Sequence, residues 1–253
     1  MNEVEAKGAL LKEASRKTAL LSAEDKNAAL AAIAAALEAN AGVIIDANAA
    51  DMETGRRNGM PQPMLDRLLL TEKRIGDIAG AVRELITLQD PVGEVMEEWT
   101  RPNGMNIKKI RVPMGVIGMI YEARPNVTVD AATIALKTGS AIMLRGSSSA
   151  INSNRALAAI MRRALEKTAV PSDAVQLIED RSHECVRQMQ RLNEYLDLLI
   201  PRGGQGLIRE VVDNSSVPVI ETGIGNCHIF IDESADEKMA ISIVLNAKTQ
   251  RPS

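Results

Sequence analysis

Apolar and polar residues recur along this chain with two different periods, and the change of period divides the chain into three parts. In the first ninety residues the apolar positions repeat every three or four residues, which predicts a series of amphipathic helices. Ser22 with Asp25 resembles a helix start, and Thr71 is predicted to cap a later helix. Residues 94–100 and 105–112 carry apolar positions closer to every second residue, and the Asn103-Gly104 dipeptide between them favours a hairpin turn. From residue 115 onward, short apolar runs alternate with helical segments, a pattern that indicates a parallel sheet.

The segment at 111–146 is the most informative part of the chain. Its apolar run at 115–121 predicts a buried strand, a helix follows, Gly139 ends that helix, and residues 141–144 predict the next strand. Together they form one βαβ unit, in which the polar residues after the strands are Glu122, Arg124, Asn126 and Arg145. Ligands of open α/β sheets bind at the carboxyl ends of the strands. We therefore expect a site at this edge.

The rest of the chain extends the same alternation. Further strands are predicted at 174–178, 195–200, 217–220 and 227–231, and helices at 151–167, 182–191, 203–212 and 235–248. The predicted fold class is therefore α/β: N-terminal helices, a β-hairpin, and then a doubly wound, mostly parallel, Rossmann-like sheet.

Composition and charge narrow the class of protein. The net charge is −3 and aromatic residues make up 2% of the 253 residues, so the chain lacks the basic surface and stacking platforms of nucleic-acid-binding proteins. Two cysteines do not form a disulfide framework, and two histidines cannot build a His-rich metal site. No apolar run reaches the length of a membrane span, and the first residues do not resemble a signal peptide. We expect a cytoplasmic protein without a metal, nucleic-acid or membrane partner.

A glycine-rich turn offers a place for a phosphate. Gly203 and Gly204 follow a predicted strand and precede a helix, where backbone N–H groups can approach an anion. The spacing is neither a dinucleotide-binding fingerprint nor a Walker motif, and a plain tight turn fits about as well. Arg145 and Arg202 at strand ends strengthen the phosphate interpretation, because a guanidinium can grip phosphate with two hydrogen bonds.

The other polar candidates each have a structural alternative. Asn126 could donate to a developing oxyanion, although a helix N-cap is the simpler role. Glu122 and Arg124 could form a surface ion pair. Cys227 stands beside His228 and invites a nucleophile interpretation, but the apolar residues around it favour a buried strand cysteine. Glu221 is either a general base or an exposed loop carboxylate.

Long stretches of the sequence resemble one known family. They are Tyr121-Glu-Ala-Arg-Pro-Asn-Val-Thr-Val-Asp130, Leu199-Ile-Pro-Arg-Gly-Gly204 and Asn246-Ala-Lys-Thr-Gln-Arg-Pro-Ser253. The chain is similar along essentially its whole length to the gamma-glutamyl phosphate reductase family of the aldehyde dehydrogenase superfamily. The resemblance implies NADPH-dependent reduction of L-glutamyl 5-phosphate to L-glutamate 5-semialdehyde with phosphate release, a step of proline biosynthesis. It also implies a homo-oligomer when full length and an association with glutamate 5-kinase.

The same resemblance assigns roles to individual residues. It places Asn126 in an oxyanion hole, and it makes Glu122, Arg124 and Arg251 substrate or phosphate candidates. It gives Glu221 the position of the general base of hydrolytic aldehyde dehydrogenases, where it faces the cofactor. The expected NADP contacts are Arg145, Gly146, Arg202, Gly203, Gly204 and Glu221, with Arg145 compatible with a 2′-phosphate.

The sequence departs from the family at its end. The family's nucleophilic cysteine lies just beyond the run that finishes at Ser253, so neither Cys185 nor Cys227 occupies its position. We expect residues 1–253 to be an NADP-binding domain without the catalytic domain, and inactive alone. The hairpin at 94–112 is expected to serve oligomerisation, although a simple surface hairpin fits about as well. Two alternatives stay open: a non-catalytic NADP-binding module, and another acyl-phosphate or aldehyde reductase of the superfamily.

Overall fold

The computed structural model describes residues 2–221, 223 and 227–250. Its N-terminal part consists of five helices, three of which begin at a residue whose side chain caps the helix. Ser22 and Asp25 form a reciprocal capping box, and the Thr71 hydroxyl accepts a hydrogen bond from the Arg74 N–H, which confirms both predicted helix starts. The helices are α1 (Glu3–Thr18), α2 (Ala23–Ala39), α3 (Ala41–Arg57), α4 (Gln62–Leu68) and α5 (Glu72–Thr87).

A two-stranded hairpin follows these helices. Strands β1 (Val95–Thr100) and β2 (Asn106–Ile110) pair in antiparallel register, so the predicted hairpin within 94–112 is confirmed. Every residue of β1 is exposed, and Trp99 keeps 42% of its surface accessible. An isolated two-stranded sheet is only marginally stable in water, so this hairpin has little stabilisation of its own.

A four-stranded parallel sheet forms the centre of the fold. Its strands are β3 (Val116–Tyr121), β4 (Ala141–Arg145), β5 (Val175–Leu177) and β6 (Leu198–Arg202), in the order β5-β4-β3-β6. The remaining helices are α6 (Pro125–Lys137), α7 (Ile151–Leu165), α8 (His183–Gln190), α9 (Gln205–Asn214) and α10 (Glu237–Thr249). Gly139 follows α6 with a positive φ, as predicted for the residue that ends this helix.

Helices cover both faces of this sheet. Helices α6 and α7 pack against β3, β4 and β5 and are themselves contacted by α2 and α5. On the other side, α1 contacts β3, β4, β5 and α8, and α9 contacts β6 and α8. One continuous apolar core joins these layers, in which Leu30, Val129, Leu144 and Leu199 are fully buried. The doubly wound α/β prediction is confirmed.

Three local predictions are wrong. Asn126 does not cap α6, because Pro125, with its fixed φ, occupies the first helical position and Arg124 becomes the N-cap. The strand expected at 217–220 is reduced to a single parallel bridge between Val219 and Leu199. No strand is assigned to the described residues 227–231, where Cys227 is exposed rather than buried in a strand.

No single helix among residues 2–221, 223 and 227–250 is long and apolar enough to cross a membrane. Helices α2 and α3 satisfy that test together, by length and composition only, across a bend of 68°.

Helix α10 differs from the other helices in its exposure. It has no buried residue, and an apolar depression between it and residues 231–235 is lined by Ile231, Ala240, Ile241, Val244 and Leu245. Phe230 beside this depression is 88% exposed. This apolar surface lacks cover in the part of the chain that the structure describes.

Gly115→Ala should destabilise the fold by about 2–4 kcal/mol. Gly115 enters β3 with a φ of +94°, and an added Cβ would meet the carboxylate of Asp197, which accepts a hydrogen bond from the Val116 N–H. Gly76→Ala is the control, because no atom lies within 4 Å of its added Cβ. In urea unfolding the control should gain roughly 0.4–1 kcal/mol. Equal effects of the two substitutions would contradict the packing at Gly115.

Candidate functional site

The ends of three parallel strands meet at one edge of the sheet. Ile120 pairs in register with Arg145 of β4, and Tyr121 pairs with Arg202 of β6. The chain proceeds from β3 outward through β4 to β5 and then returns to place β6 on the other side of β3. The point where the strand order reverses therefore lies between β3 and β6. Open α/β sheets bind ligands in the crevice at such a point.

The turn between β6 and α9 lies in this crevice and is closed by Glu122. The Glu122 carboxylate accepts a hydrogen bond from the Gly204 N–H at 3.1 Å, and the backbone N–H of Glu122 donates to the Arg202 carbonyl. A Cβ on Gly203 would come within 2.7–2.8 Å of the Glu122 side chain, so a larger residue there would displace that side chain. A negative charge at a helix start is stabilised by the helix dipole. Glu122 thus holds the place at α9 that an anion would take.

The side chain of Arg145 is oriented by the loop after β5. One terminal nitrogen of its guanidinium donates to the carbonyl oxygens of Arg181 and Ser182, at 3.3 and 3.2 Å. Its Nε–H is buried and has no hydrogen-bond partner among the described residues. Buried donors without partners are rare in proteins, and they often mark a place for a ligand or water. Arg145 therefore keeps donor capacity at the sheet edge.

Cys185 lies beside Arg145 but is not arranged as a nucleophile. Its thiol is fully buried and contacts the carbonyl oxygens of Asp180 and Ser182, at 3.3 and 3.1 Å. Burial raises the pKa of the Cys185 thiol, and the neighbouring Arg145 offsets only part of that increase. A neutral thiol is a weak nucleophile, so this cysteine has a packing role.

Helix α1 holds the loop that carries these carbonyl groups. The Glu3 carboxylate accepts hydrogen bonds from the N–H groups of Glu179 and Asp180, both at 2.9 Å. Lys7 bonds to Glu3 and to the Leu177 carbonyl, both at 2.6 Å. Burial raises the pKa of Glu3, but the hydrogen bonds from Lys7 and from the two backbone N–H groups outweigh it, so the pKa lies below its ordinary value. No sequence pattern indicated this contact.

Asn126 is held by a residue one helical turn further along α6. Its Nδ2 donates to Oδ2 of Asp130 at 2.9 Å, and both side chains are partly buried. Burial raises the pKa of Asp130, and the hydrogen bond from Asn126 lowers it only in part. An asparagine amide has two N–H donors, so the second one is not used by this bond.

Below Asn126, a buried chain of hydrogen bonds ties β3 to α6 and α7. The Tyr121 and Thr128 hydroxyl groups lie 2.7 Å apart, and Thr128 donates to Oδ1 of Asn154 at 2.9 Å. Burial raises the pKa of Tyr121, which keeps the phenol neutral. These hydrogen bonds therefore fix the start of α6 to the end of β3 and to α7.

The other predicted site residues are either exposed or lie outside the described residues. Glu221 is exposed and lies outside helix and strand, as do Cys227 and His228. His183 is exposed at the first position of α8. Arg251 and most of the glycine loop after Glu221 lie outside the described residues. Within the described ranges, no group of three or more His, Cys, Asp or Glu side chains could hold a metal ion.

Comparison with known proteins gives the family. The sequence model of the aldehyde dehydrogenase family matches residues 2–251. The chain belongs to the aldehyde dehydrogenase family. Members of this family use a nicotinamide cofactor.

Individual relatives narrow the similarity within this family. The gamma-glutamyl phosphate reductase of Anoxybacillus flavithermus is 59% identical over all 253 residues. Crystal structures of the proteins of that name from Thermotoga maritima (TM-score 0.92, 47% identity) and Saccharomyces cerevisiae (TM-score 0.81, 30% identity) each align with 99% of this chain. The chain spans 61% of the length of the first two and 64% of the yeast chain, so it corresponds to part of each relative.

Glu3→Gln should lower the free energy of unfolding at pH 7 by about 1 kcal/mol, since a partly exposed charge-assisted hydrogen bond is screened by solvent. Because the folded pKa of Glu3 lies below the ordinary value of 4.5, this stabilisation is present above pH 4.5 and is lost as the pH falls through the folded pKa. Urea unfolding of both proteins from pH 7 to pH 3 measures it.

The control for this prediction is Glu13→Gln, which alters an exposed carboxylate of the same helix. It should change stability little at any pH. If the difference in unfolding free energy between the wild type and Glu3→Gln stayed constant down to pH 3, the hydrogen bonds of the Glu3 carboxylate would not explain it.

Proposed function

We propose that this chain is the cofactor-binding part of an NADPH-dependent reductase. The full-length enzyme converts L-glutamyl 5-phosphate to L-glutamate 5-semialdehyde and releases phosphate, a step of proline biosynthesis. The observation that carries this proposal is 59% identity over all 253 residues to a protein named gamma-glutamyl phosphate reductase. The order of the chain's elements and the polar strand edge between β3 and β6 support it.

The nucleophile of the proposed reaction is a cysteine thiolate beyond Ser253 in the full-length protein. It attacks the acyl phosphate and expels phosphate, which leaves a thioester on the cysteine. A bound nicotinamide would supply the hydride that converts the thioester to the aldehyde, with cleavage of the C–S bond and return of the cysteine thiolate. Asn126 donates an N–H to the carbonyl oxygen as negative charge develops on it. Glu122, Arg124 and Arg251 are proposed to contact the substrate or its phosphate.

The residues at the sheet edge fit a nicotinamide dinucleotide phosphate. The guanidinium of Arg145 at the sheet edge provides N–H donors suited to a 2′-phosphate. Gly146, Arg202, Gly203 and Gly204 border the same crevice, and Glu221 is proposed to face the cofactor. The Glu122 carboxylate at the start of α9 repels an anion there, so the cofactor diphosphate must lie beside this helix start or displace Glu122.

The hairpin at 94–112 is proposed to form a subunit contact in a homo-oligomer of the full-length enzyme. Support comes from its exposed apolar residues Val95, Trp99 and Ile110 and from the marginal stability of an isolated hairpin. We further propose a cytoplasmic location and an association with glutamate 5-kinase, which would pass on the unstable acyl phosphate.

Arg145→Ala should weaken NADPH binding to this chain by roughly tenfold while changing NADH binding little, because the lost guanidinium would have paired with the 2′-phosphate. Fluorescence titration of the two cofactors measures both affinities. Arg187→Ala is the control, since this exposed arginine of α8 pairs with Glu184 on the same helix and should leave both affinities unchanged. Unchanged NADPH affinity of Arg145→Ala would refute the assigned contact.

The 253-residue chain alone should show no glutamate-5-semialdehyde-dependent reduction of NADP, because it lacks the proposed nucleophile. The full-length protein should show this activity in the presence of phosphate, and replacing the cysteine beyond Ser253 by serine should abolish it. Absorbance at the wavelength of NADPH follows both reactions. Turnover by the 253-residue chain would contradict the proposed mechanism.

A further inference from the structure

The side chain of Asp130 is difficult to explain by the stability of α6. It is partly buried, and the hydrogen bond that the structure gives its carboxylate comes from the Asn126 amide. The pKa of this carboxyl group is raised by burial and lowered by the Asn126 hydrogen bond, with no contribution from a lysine or an arginine of the described residues. Removing a carboxylate from water without a counter-ion is costly. A single amide donor one turn away on a helix returns little of that cost.

Its place in the helix does not compensate for the cost. Helix α6 begins at Pro125, so Asp130 is its sixth residue. The helix dipole favours a negative charge in the first turn, and Asp130 lies beyond that turn. Asp130 also does not cap any backbone N–H group in the described structure. The partly buried carboxylate therefore has one evident effect, which is on the Asn126 side chain.

A carboxylate determines which end of an asparagine amide faces it. An ionised carboxylate only accepts hydrogen bonds, so it binds the amide nitrogen and repels the amide oxygen. The two ends of an amide have nearly the same shape, and packing alone selects between them weakly. With one N–H donating to Asp130, the amide has its second N–H left for another acceptor.

We propose that Asp130 is a positioning residue for Asn126. The Asp130 carboxylate accepts a hydrogen bond from one N–H of the Asn126 amide and disfavours the flipped orientation, in which the amide oxygen would face it. The second N–H of Asn126 can then donate to the oxyanion of the reacting acyl group. This inference rests on the proposed function, because the oxyanion belongs to that reaction. Asp130 itself does not contact the reacting atoms.

The first test uses the 253-residue chain and is independent of catalysis. In NMR spectra, the side-chain amide signals of Asn126, identified by their loss in Asn126→Ala, should include one proton with slowed exchange because it is bonded to Asp130. Asp130→Ala should abolish this protection. Asp77→Ala is the control, since Asp77 on α5 pairs with Lys73 on the same helix. Protection that persists in Asp130→Ala would overturn the proposal.

The second test is a double-mutant cycle in the full-length enzyme. Asn126→Ala should lower kcat by about a hundredfold or more, and Asp130→Ala by roughly tenfold, with KM for NADPH unchanged. In the Asn126→Ala background, Asp130→Ala should lower kcat by less than about twofold, because there is no amide left to orient. Asp77→Ala should leave kcat unchanged in both backgrounds.

The outcomes separate the two proposals. An equal tenfold loss from Asp130→Ala in both backgrounds, or a rise in KM for the acyl substrate at constant kcat, would mean that Asp130 acts otherwise and would overturn its positioning role. If Asp130→Ala does not fold, Asp130→Asn replaces it; its neutral amide no longer selects one orientation, so a partial loss confined to the Asn126 background is expected. An inactive wild-type enzyme would refute the proposed function, while the NMR result would still decide how Asn126 is held.

Discussion

Parallel pairing of β3 with both β4 and β6 is the constraint on which the rest of this structure depends. It aligns Ile120 with Arg145 and Tyr121 with Arg202, so residues far apart in sequence reach the same edge. Parallel strands require crossover connections, and each connection places a helix against the sheet. Strand direction therefore determines the position of the site, because the polar residues at the carboxyl ends of β3, β4 and β6 all lie at this edge.

The sheet edge is then shaped by residues that interact across it. Glu122 after β3 binds the turn after β6, and Arg145 at the end of β4 binds the loop after β5. Each such contact joins neighbouring strand ends in the order of the sheet. These hydrogen bonds connect the edge from β5 to β6, while the Nε of Arg145 has no hydrogen-bond partner among the described residues.

The sequence predicted those features that depend on local patterns. Helix starts at Ser22 and Thr71, the hairpin turn and the βαβ unit around α6 all follow from residues close together in the chain. The N-cap at Asn126 was wrong because Pro125 competes for the same helix start. The strand at 227–231 was wrong because alternation shows only that a segment suits a sheet, and the described chain offers it no neighbouring strand.

The features that sequence reasoning missed are long-range hydrogen bonds. Glu3 meets Asp180 across 177 positions and Lys12 meets Asp197 across 185, and no spacing rule links such residues. The Asp130 contact, by contrast, has a local signal, since residues four apart on a helix are neighbours. An asparagine and an aspartate at that spacing after a strand could have indicated it.

The distant partners of α1 also set an order of events when the chain is made. This helix is synthesised before the partners of its long-range hydrogen bonds, which are Leu177, Glu179, Asp180 and Asp197. It cannot take its final place until these residues have left the ribosome, because closing so long a loop requires its far end. Helix α1 therefore docks long after it is made, and the loop beside Arg145 acquires its final shape only then.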